Sequence, residues 1–244
     1  MLFLVTRPEQ DGSKLKTMIE SLDHEAIVEP LMEPEYLPEA IEDLDGVAAL
    51  VATSRNGLRA LALSPFLRDA LSIPLFAVGR STAEEARRLG FERIAIGPGS
   101  VSGFAAGIAG TLDPADGLIL HLSADVRAGD LAGELELLGF RVLRPVVYRM
   151  KPAEALSEGT REAINDGEID GVVLMSPRTA RIYTGLIQRH RLTHAVKTVV
   201  HVCLSDAIAR SLAPLGTVPV VVADEPSMGA LMETIEQVGS GLDN

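Results

Sequence analysis

The sequence predicts an α/β chain built as two open, doubly wound parallel sheets. Three observations predict it: short apolar runs alternate with longer amphipathic stretches, the runs are apolar on both strand faces, and the pattern is written twice. Apolarity on both faces belongs to a strand buried between two layers of helices, because a half-wet antiparallel strand would alternate apolar with polar. Strand–helix alternation then places crossovers on both sides of each sheet.

Taken in order, the apolar run at 2–5 ends in the polar turn Thr6-Arg7-Pro8, leads into a helix at 10–22, and is followed by a strand at 26–28. After the Pro34–Pro38 segment, a strand at 47–51 passes through Thr53-Ser54 into a helix at 56–63. A strand at 75–78 leads into a helix at 82–89, which Gly90 stops, and a strand at 93–96 precedes a helix at 102–111. A strand at 118–122, the turn 123–127, a helix at 128–138 stopped by Gly139, and a strand at 142–148 complete the middle of the chain. Beyond Lys151-Pro152 come a helix at 153–165, a strand at 172–175 and a helix at 177–190. Strands at 198–202 and 218–222 follow, each leading to a helix, at 205–213 (stopped by Gly216) and at 227–238. Ser, Thr, Asp or Pro opens many of these helices, because such side chains accept first-turn N–H groups or lack one. Glycine ends several, since only it takes the left-handed conformation without a Cβ penalty.

The duplication is explicit in the residues. Thr53-Ser54-Arg55-Asn56-Gly57-Leu58 pairs with Met175-Ser176-Pro177-Arg178-Thr179-Ala180, and Ala77-Val78-Gly79-Arg80-Ser81-Thr82-Ala83 with Val202-Cys203-Leu204-Ser205-Asp206-Ala207. The N-terminal stretch 2–31 pairs with 118–147. Two similar lobes make a cleft, where a ligand is to be sought. Two divisions are compatible with this order. The residues alone favour consecutive domains split near 116; the alternative combines 1–36 with 153–244 as lobe one and leaves 37–152 as lobe two.

Composition narrows the function. The 244 residues, 47% hydrophobic, suffice for two real cores. A net charge of −12 and the absence of Trp argue against nucleic-acid or anionic-membrane surfaces, which need a broad cationic face or stacking platforms. The single cysteine, Cys203, allows no internal disulfide and suits a reducing compartment. The apolar N-terminal run is too short for a signal peptide and no stretch is long enough for a membrane span, so a cytoplasmic protein is expected, with a monomer as the default.

No phosphate loop, dinucleotide fingerprint or nucleophile elbow occurs, and His24, His121, His190, His194 and His201 lack metal-ligand spacing. What recurs is hydroxyl residues at strand ends opening helices: Thr6, Thr53, Ser54, Ser81, Thr82, Ser176 and Ser205. Each admits two readings, a simple N-cap or part of an anion site formed with free first-turn amides. Arg7, Arg55, Arg80, Arg127 and Arg178 stand beside these turns, either solvated or poised for bidentate contact with carboxylate. Tyr148 ends an apolar strand, as a core phenol or as a proton donor.

Together, Val5-Thr6-Arg7-Pro8, Thr53-Ser54-Arg55-Asn56-Gly57, Ala77-Val78-Gly79 with Thr82-Ala83, Val146-Val147-Tyr148-Arg149, Ser176-Pro177 and Pro226-Ser227 with Ala230-Leu231 resemble the uroporphyrinogen-III synthase family in order and spacing. The resemblance implies two flavodoxin-like doubly wound parallel-sheet lobes joined by a two-strand connection, with the discontinuous lobe order. It implies a cofactor-free enzyme that dehydrates and cyclises hydroxymethylbilane with inversion of ring D through a spiro intermediate. Tyr148 matches the family tyrosine that assists hydroxyl departure. The substrate-binding set becomes Thr6, Arg7, Thr53, Ser54, Arg55, Gly79, Ser81, Thr82, Arg127, Ser176, Arg178 and Ser205. The expected partners are the linear tetrapyrrole polycarboxylate and, transiently, hydroxymethylbilane synthase. Two departures stand out: Cys203-Leu204-Ser205-Asp206 replaces a Gly-containing turn, and the 123–127 turn lacks an Arg-Gly pair. A non-catalytic two-lobe module for a small polyanion and a transferase on similar lobes are the competing readings.

Overall fold

The computed structural model describes residues 1–100, 103–126 and 129–241. The chain divides into two compact units, Met1–Glu33 with Lys151–Asn244, and Pro34–Met150. It begins with β1 (Leu2–Val5), α1 (Glu9–Glu20), β2 (Glu25–Val28) and β3 (Met32–Tyr36). The second unit adds β4 (Val47–Ala52), α2 (Arg55–Ala62), α3 (Leu67–Ala70), β5 (Leu75–Ala77), α4 (Arg80–Leu89), β6 (Ile94–Ile96) and α5 (Phe104–Ala109). It continues with β7 (Leu118–Ala124), α6 (Leu131–Leu137), β8 (Arg141–Leu143) and β9 (Val146–Pro152). The chain then returns to the first unit with α7 (Glu158–Asn165), β10 (Gly171–Leu174), α8 (Pro177–Arg189), β11 (Val200–Cys203), α9 (Asp206–Arg210), β12 (Val220–Val222) and α10 (Met228–Gly241).

In the first unit the strands lie in the order β12-β11-β10-β1-β2, paired in parallel. Successive side chains of a strand point to opposite faces. Phe3, Val5, Val173 and Val202 therefore meet Leu15 and Ile19 of α1 and Leu231 and Ile235 of α10. Leu4, Val172, Leu174 and Cys203 face the other way, onto Ile164 of α7 and Tyr183 and Ile187 of α8. Both faces are dry, which is why these strands carry no polar alternation. A buried carboxylate ties the two parts of this unit together: Glu29 accepts from the Ser157 amide at 2.8 Å and from the Ser157 and Thr160 hydroxyls at 2.6 Å each.

The second unit orders its strands β3-β9-β7-β4-β5-β6, with β8 also beside β7. Leu50, Ala52, Leu120 and Leu122 pack on Leu58 and Leu61 of α2 and Ala86 of α4. Ala49, Val51 and Ile119 pack on Phe104 and Ile108 of α5 and Leu135 of α6. The order β8-β7-β4-β5-β6 reproduces β2-β1-β10-β11-β12 once each strand is replaced by its repeat partner. The duplicated residues therefore occupy equivalent positions in two sheets of identical wiring. A consecutive division near residue 116 does not occur, because β7 lies directly beside β4 in one sheet.

Several elements differ from the sequence reading. β3 is absent from it, since Met-Glu-Pro-Glu-Tyr carries no apolar run; the strand sits at the end of the strand order, where a proline costs no ladder bond. It neighbours β9, with Ala153 donating to the Leu31 carbonyl at 3.0 Å and Leu37 to Val147 at 2.8 Å, so the two segments run in opposite directions. The run expected as one strand at 142–148 breaks at Arg144-Pro145: β8 pairs with the start of β7, and β9 with its end. The helix expected from 153 begins at Glu158, where Ser157 Oγ accepts the Thr160 amide at 3.2 Å. The expected helix starts at Ser102 and Ala128 lie outside the described residues.

Candidate active site

Strands of a parallel sheet end along one edge, and a crevice forms there where successive crossovers leave in opposite directions. In the second unit this point lies between β4 and β7, since β5 and β6 extend to one side of β4 while β7 lies on the other. A cavity of about 390 Å³ at this edge is lined by Thr53 and Ser54 after β4, Val78 after β5, His121 and Ser123 of β7 and Tyr148 of β9.

Tyr148 is only 7% exposed, in register with Ala124 on the neighbouring β7. Burial raises its phenol pKa above the ordinary 10.0, the nearby Ser54 hydroxyl works in the opposite direction, and the Asp125 charge adds to the rise. The phenol is thus held protonated, as a donor, at neutral pH. Ser54 has an extended backbone (φ −150°, ψ 150°) and its Oγ accepts the Asn56 amide at 3.2 Å, capping α2. Thr53 Oγ1 lies 3.5 Å from Nε2 of the buried His121. Ser123 donates to the Pro145 carbonyl at 3.0 Å, fastening β7 to the loop that starts β9. Gly57 is required here: a Cβ on it would lie 2.7 Å from the Leu122 carbonyl oxygen, so α2 rests directly on β7.

Of the residues singled out from sequence, Thr53, Ser54 and Tyr148 come together in this cavity. Arg55 opens α2 and is half-buried. Gly79 precedes α4, and a Cβ there would stand 3.1 Å from the Gly99 Cα, which accounts for the glycine by packing. Ser81 is exposed and Thr82 buried on α4, and neither lines the cavity. Arg127 lies outside the described residues.

The first unit places its set on the corresponding edge of its own sheet. Thr6 is buried and donates to the Val173 carbonyl at 2.8 Å. Arg7 pairs with Asp11 at 3.3 Å and also reaches the Met175 sulfur at 3.2 Å. Ser176 caps α8, accepting the Thr179 amide at 3.0 Å, with a backbone (φ −149°, ψ 148°) nearly superposable on that of Ser54. Arg178 is half-buried in the first turn of α8. Ser205 precedes α9 without a side-chain capping bond, and the following Asp206 is exposed. Cys203 is buried on β11, where burial pushes its thiol up to about 12, as befits a core residue.

The electrostatics of three helix starts are unusual. The positive end of the helix dipole favours acidic residues in the first turn. Yet α2, α4 and α8 have none there and carry Arg55, Arg80 and Arg178 instead. Such ends concentrate positive potential beside strand termini within a chain of net charge −12. Among the described residues no group of His, Cys, Asp and Glu could hold a metal ion, and no helix is long and apolar enough to cross a membrane.

A family model for Uroporphyrinogen-III synthase HemD matches residues 13–233. The chain belongs to the uroporphyrinogen-III synthase family. Two solved structures have the same fold along almost its entire length. The uroporphyrinogen-III synthetase of Helicobacter pylori 26695 aligns with a TM-score of 0.65 at 18% identity, covering 98% of each chain. A mutant uroporphyrinogen III synthase from the extremely thermophilic bacterium Thermus thermophilus gives 0.54 at 20% identity over 99% of each chain. No curated protein sequence matches the chain.

His121 and Ser123 line the cavity, yet neither is singled out from sequence as a site residue: His121 falls inside the apolar strand expected at 118–122, and of the turn at 123–127 only Arg127 is taken as a contact. The duplication carries a usable signal. Pairing Leu2 with Leu118 sets His121 against Val5, so a buried imidazole stands in one copy where the other has a core valine.

Proposed function

We propose that the chain is a uroporphyrinogen-III synthase, a hydro-lyase that converts hydroxymethylbilane to uroporphyrinogen III on the route to haem, sirohaem and cobalamin. The observation that carries this reading is a buried phenol beside Ser54 in a cavity at the sheet's switch point, in a chain of this family. Tyr148 donates toward the substrate hydroxyl as its C–O bond breaks, and water leaves with the electron pair. The resulting azafulvene-type cation is attacked by the substituted carbon of ring D, giving a spiro intermediate and then the inverted ring. The proton given up at hydroxyl departure returns when the last pyrrole regains aromaticity, so the balance is one water lost.

The cation forms readily without help, so catalysis consists mainly of bending the chain so that the substituted carbon attacks. A flexible polycarboxylate needs many distributed donors for that. Arg55, Arg80 and Arg178 at helix starts, with the hydroxyls of Thr53 and Ser54, are of the right type. The same reading has the substrate arrive from hydroxymethylbilane synthase by transient contact, in the cytoplasm. The test supplies hydroxymethylbilane generated in situ and resolves the type I and type III uroporphyrins after oxidation. Type III as the main product is expected; type I alone, at the rate without enzyme, would remove the proposal and favour a non-catalytic polyanion-binding module.

A further inference from the structure

Asn56 is held at four points beside the cavity-lining Ser54, and neither the family reading nor the cavity lining gives it a task. It is the second residue of α2. Its Oδ1 accepts from Arg59 Nη1 at 3.1 Å and from the Tyr36 hydroxyl at 3.3 Å. Its Nδ2 donates to the Met150 sulfur at 3.4 Å. Its backbone amide donates to Ser54 Oγ at 3.2 Å. Because a guanidinium only donates, the amide has one possible orientation: oxygen toward Arg59, nitrogen toward Met150. Arg59 is itself fixed, with its Nε 3.3 Å from a carboxylate oxygen of Glu85, and both side chains are buried.

Met150 lies two residues beyond Tyr148 on β9, so both side chains point to the same face, and both pack in one apolar cluster with α2. The start of α2 therefore meets β9 through Asn56 and Met150, and Ser54 and Tyr148, two residues back on each element, line the same cavity. A backbone donor on Ser54 Oγ also leaves that hydroxyl's own proton to point at the phenol. We propose that Asn56 is a positioning residue: anchored by Arg59 and Tyr36, it grips β9 through Met150 and orients Ser54, so holding the Tyr148 hydroxyl at the cavity. This rests on the reading of Tyr148 as the proton donor of the reaction.

Two nearly isosteric changes isolate the grip. Asn56→Asp keeps the acceptor for Arg59 and Tyr36 and the backbone donor to Ser54 but has nothing to donate to Met150. An acidic residue in a first helical turn is favourable, so the fold is retained. Met150→Leu removes the same contact from the other side. Each is expected to lower kcat about tenfold with KM changed less than about twofold, as for a misplaced rather than missing group. The double variant should be no worse than the poorer single one. The chain has three tyrosines, Tyr36, Tyr148 and Tyr183, so ring-labelled tyrosine NMR reads the phenol directly. The Tyr148 signal should move in both variants while that of Tyr183 stays. Parental kcat with an unmoved Tyr148 signal, or losses that multiply in the double variant, would overturn the proposal. If the parent protein forms no type III isomer, the proposed function fails, and the Tyr148 signal still decides the role of Asn56.

Discussion

Replacing Tyr148 by Phe removes one oxygen from a residue that lines the cavity and little else. The ring is 7% exposed and packs in the cluster of Leu58, Leu61 and Leu122, contacts that Phe reproduces. The hydroxyl beside Ser54 is lost, but Ser54 keeps the Asn56 amide at 3.2 Å. The cost in stability is thus at most that of one neutral hydrogen bond, about 1 kcal/mol. For a chain of this size that lowers Tm by about 2–4 °C. The chemical loss is larger. A positioned proton donor contributes about 10²- to 10⁴-fold, and a leaving group that departs readily unaided places this one at the lower end, about 10²-fold in kcat. The in situ hydroxymethylbilane assay should show this drop with KM nearly unchanged and type III still the product of the residual activity. Tyr148→Phe with kcat within about twofold of the parent would refute the assigned role. A loss accompanied by unfolding at assay temperature would show instead that the hydroxyl is structural.

Three further outcomes follow from the packing. Glu29→Ala should destabilise by about 3 kcal/mol, because it leaves the Ser157 amide and two hydroxyls without their carboxylate; calorimetry should show Tm lower by roughly 6–12 °C. Gly57→Ala should cost about 1–3 kcal/mol in denaturant unfolding, since its Cβ would press 2.7 Å from the Leu122 carbonyl oxygen; unchanged stability would mean that α2 does not rest on β7. His201 is fully buried, donating through Nδ1 to the Pro219 carbonyl at 3.1 Å and receiving the Tyr183 hydroxyl on Nε2 at 3.3 Å. Burial lowers its pKa below 6.5, so as pH falls through that value the unfolded chain takes up a proton that the folded chain refuses. Stability should therefore decline below about pH 6.5 more steeply in the parent than in His201→Gln.

The central strands are readable in sequence because burial on both faces leaves nothing but apolar residues, as in the Val-Ala-Ala-Leu-Val-Ala of β4. Ser54 and Ser176 are equally readable as helix openers, since capping is a contact within three residues. β3 and the far end of β9 are not. Glu33, Pro34 and Glu35 in one and Arg149 and Lys151 in the other suit segments with little apolar burial, and their pairing depends on a partner more than 100 residues away. Thr53, Ser54 and Tyr148 stand out in the sequence, but as members of a longer set that also holds Ser81 and Thr82, which the fold turns away from the cavity.

The amino-acid order alone dictates the α/β layering, the repeat and the chemical type of the site, because periodicity, capping and hydroxyl or guanidinium chemistry are local properties. Which hydroxyl meets which phenol is settled only on folding. Ser54 and Tyr148 are 94 positions apart (148 − 54), and β9 reaches α2 only by pairing with β7, which in turn lies beside β4. Contacts of that separation arise from strand order, which no short stretch of residues encodes.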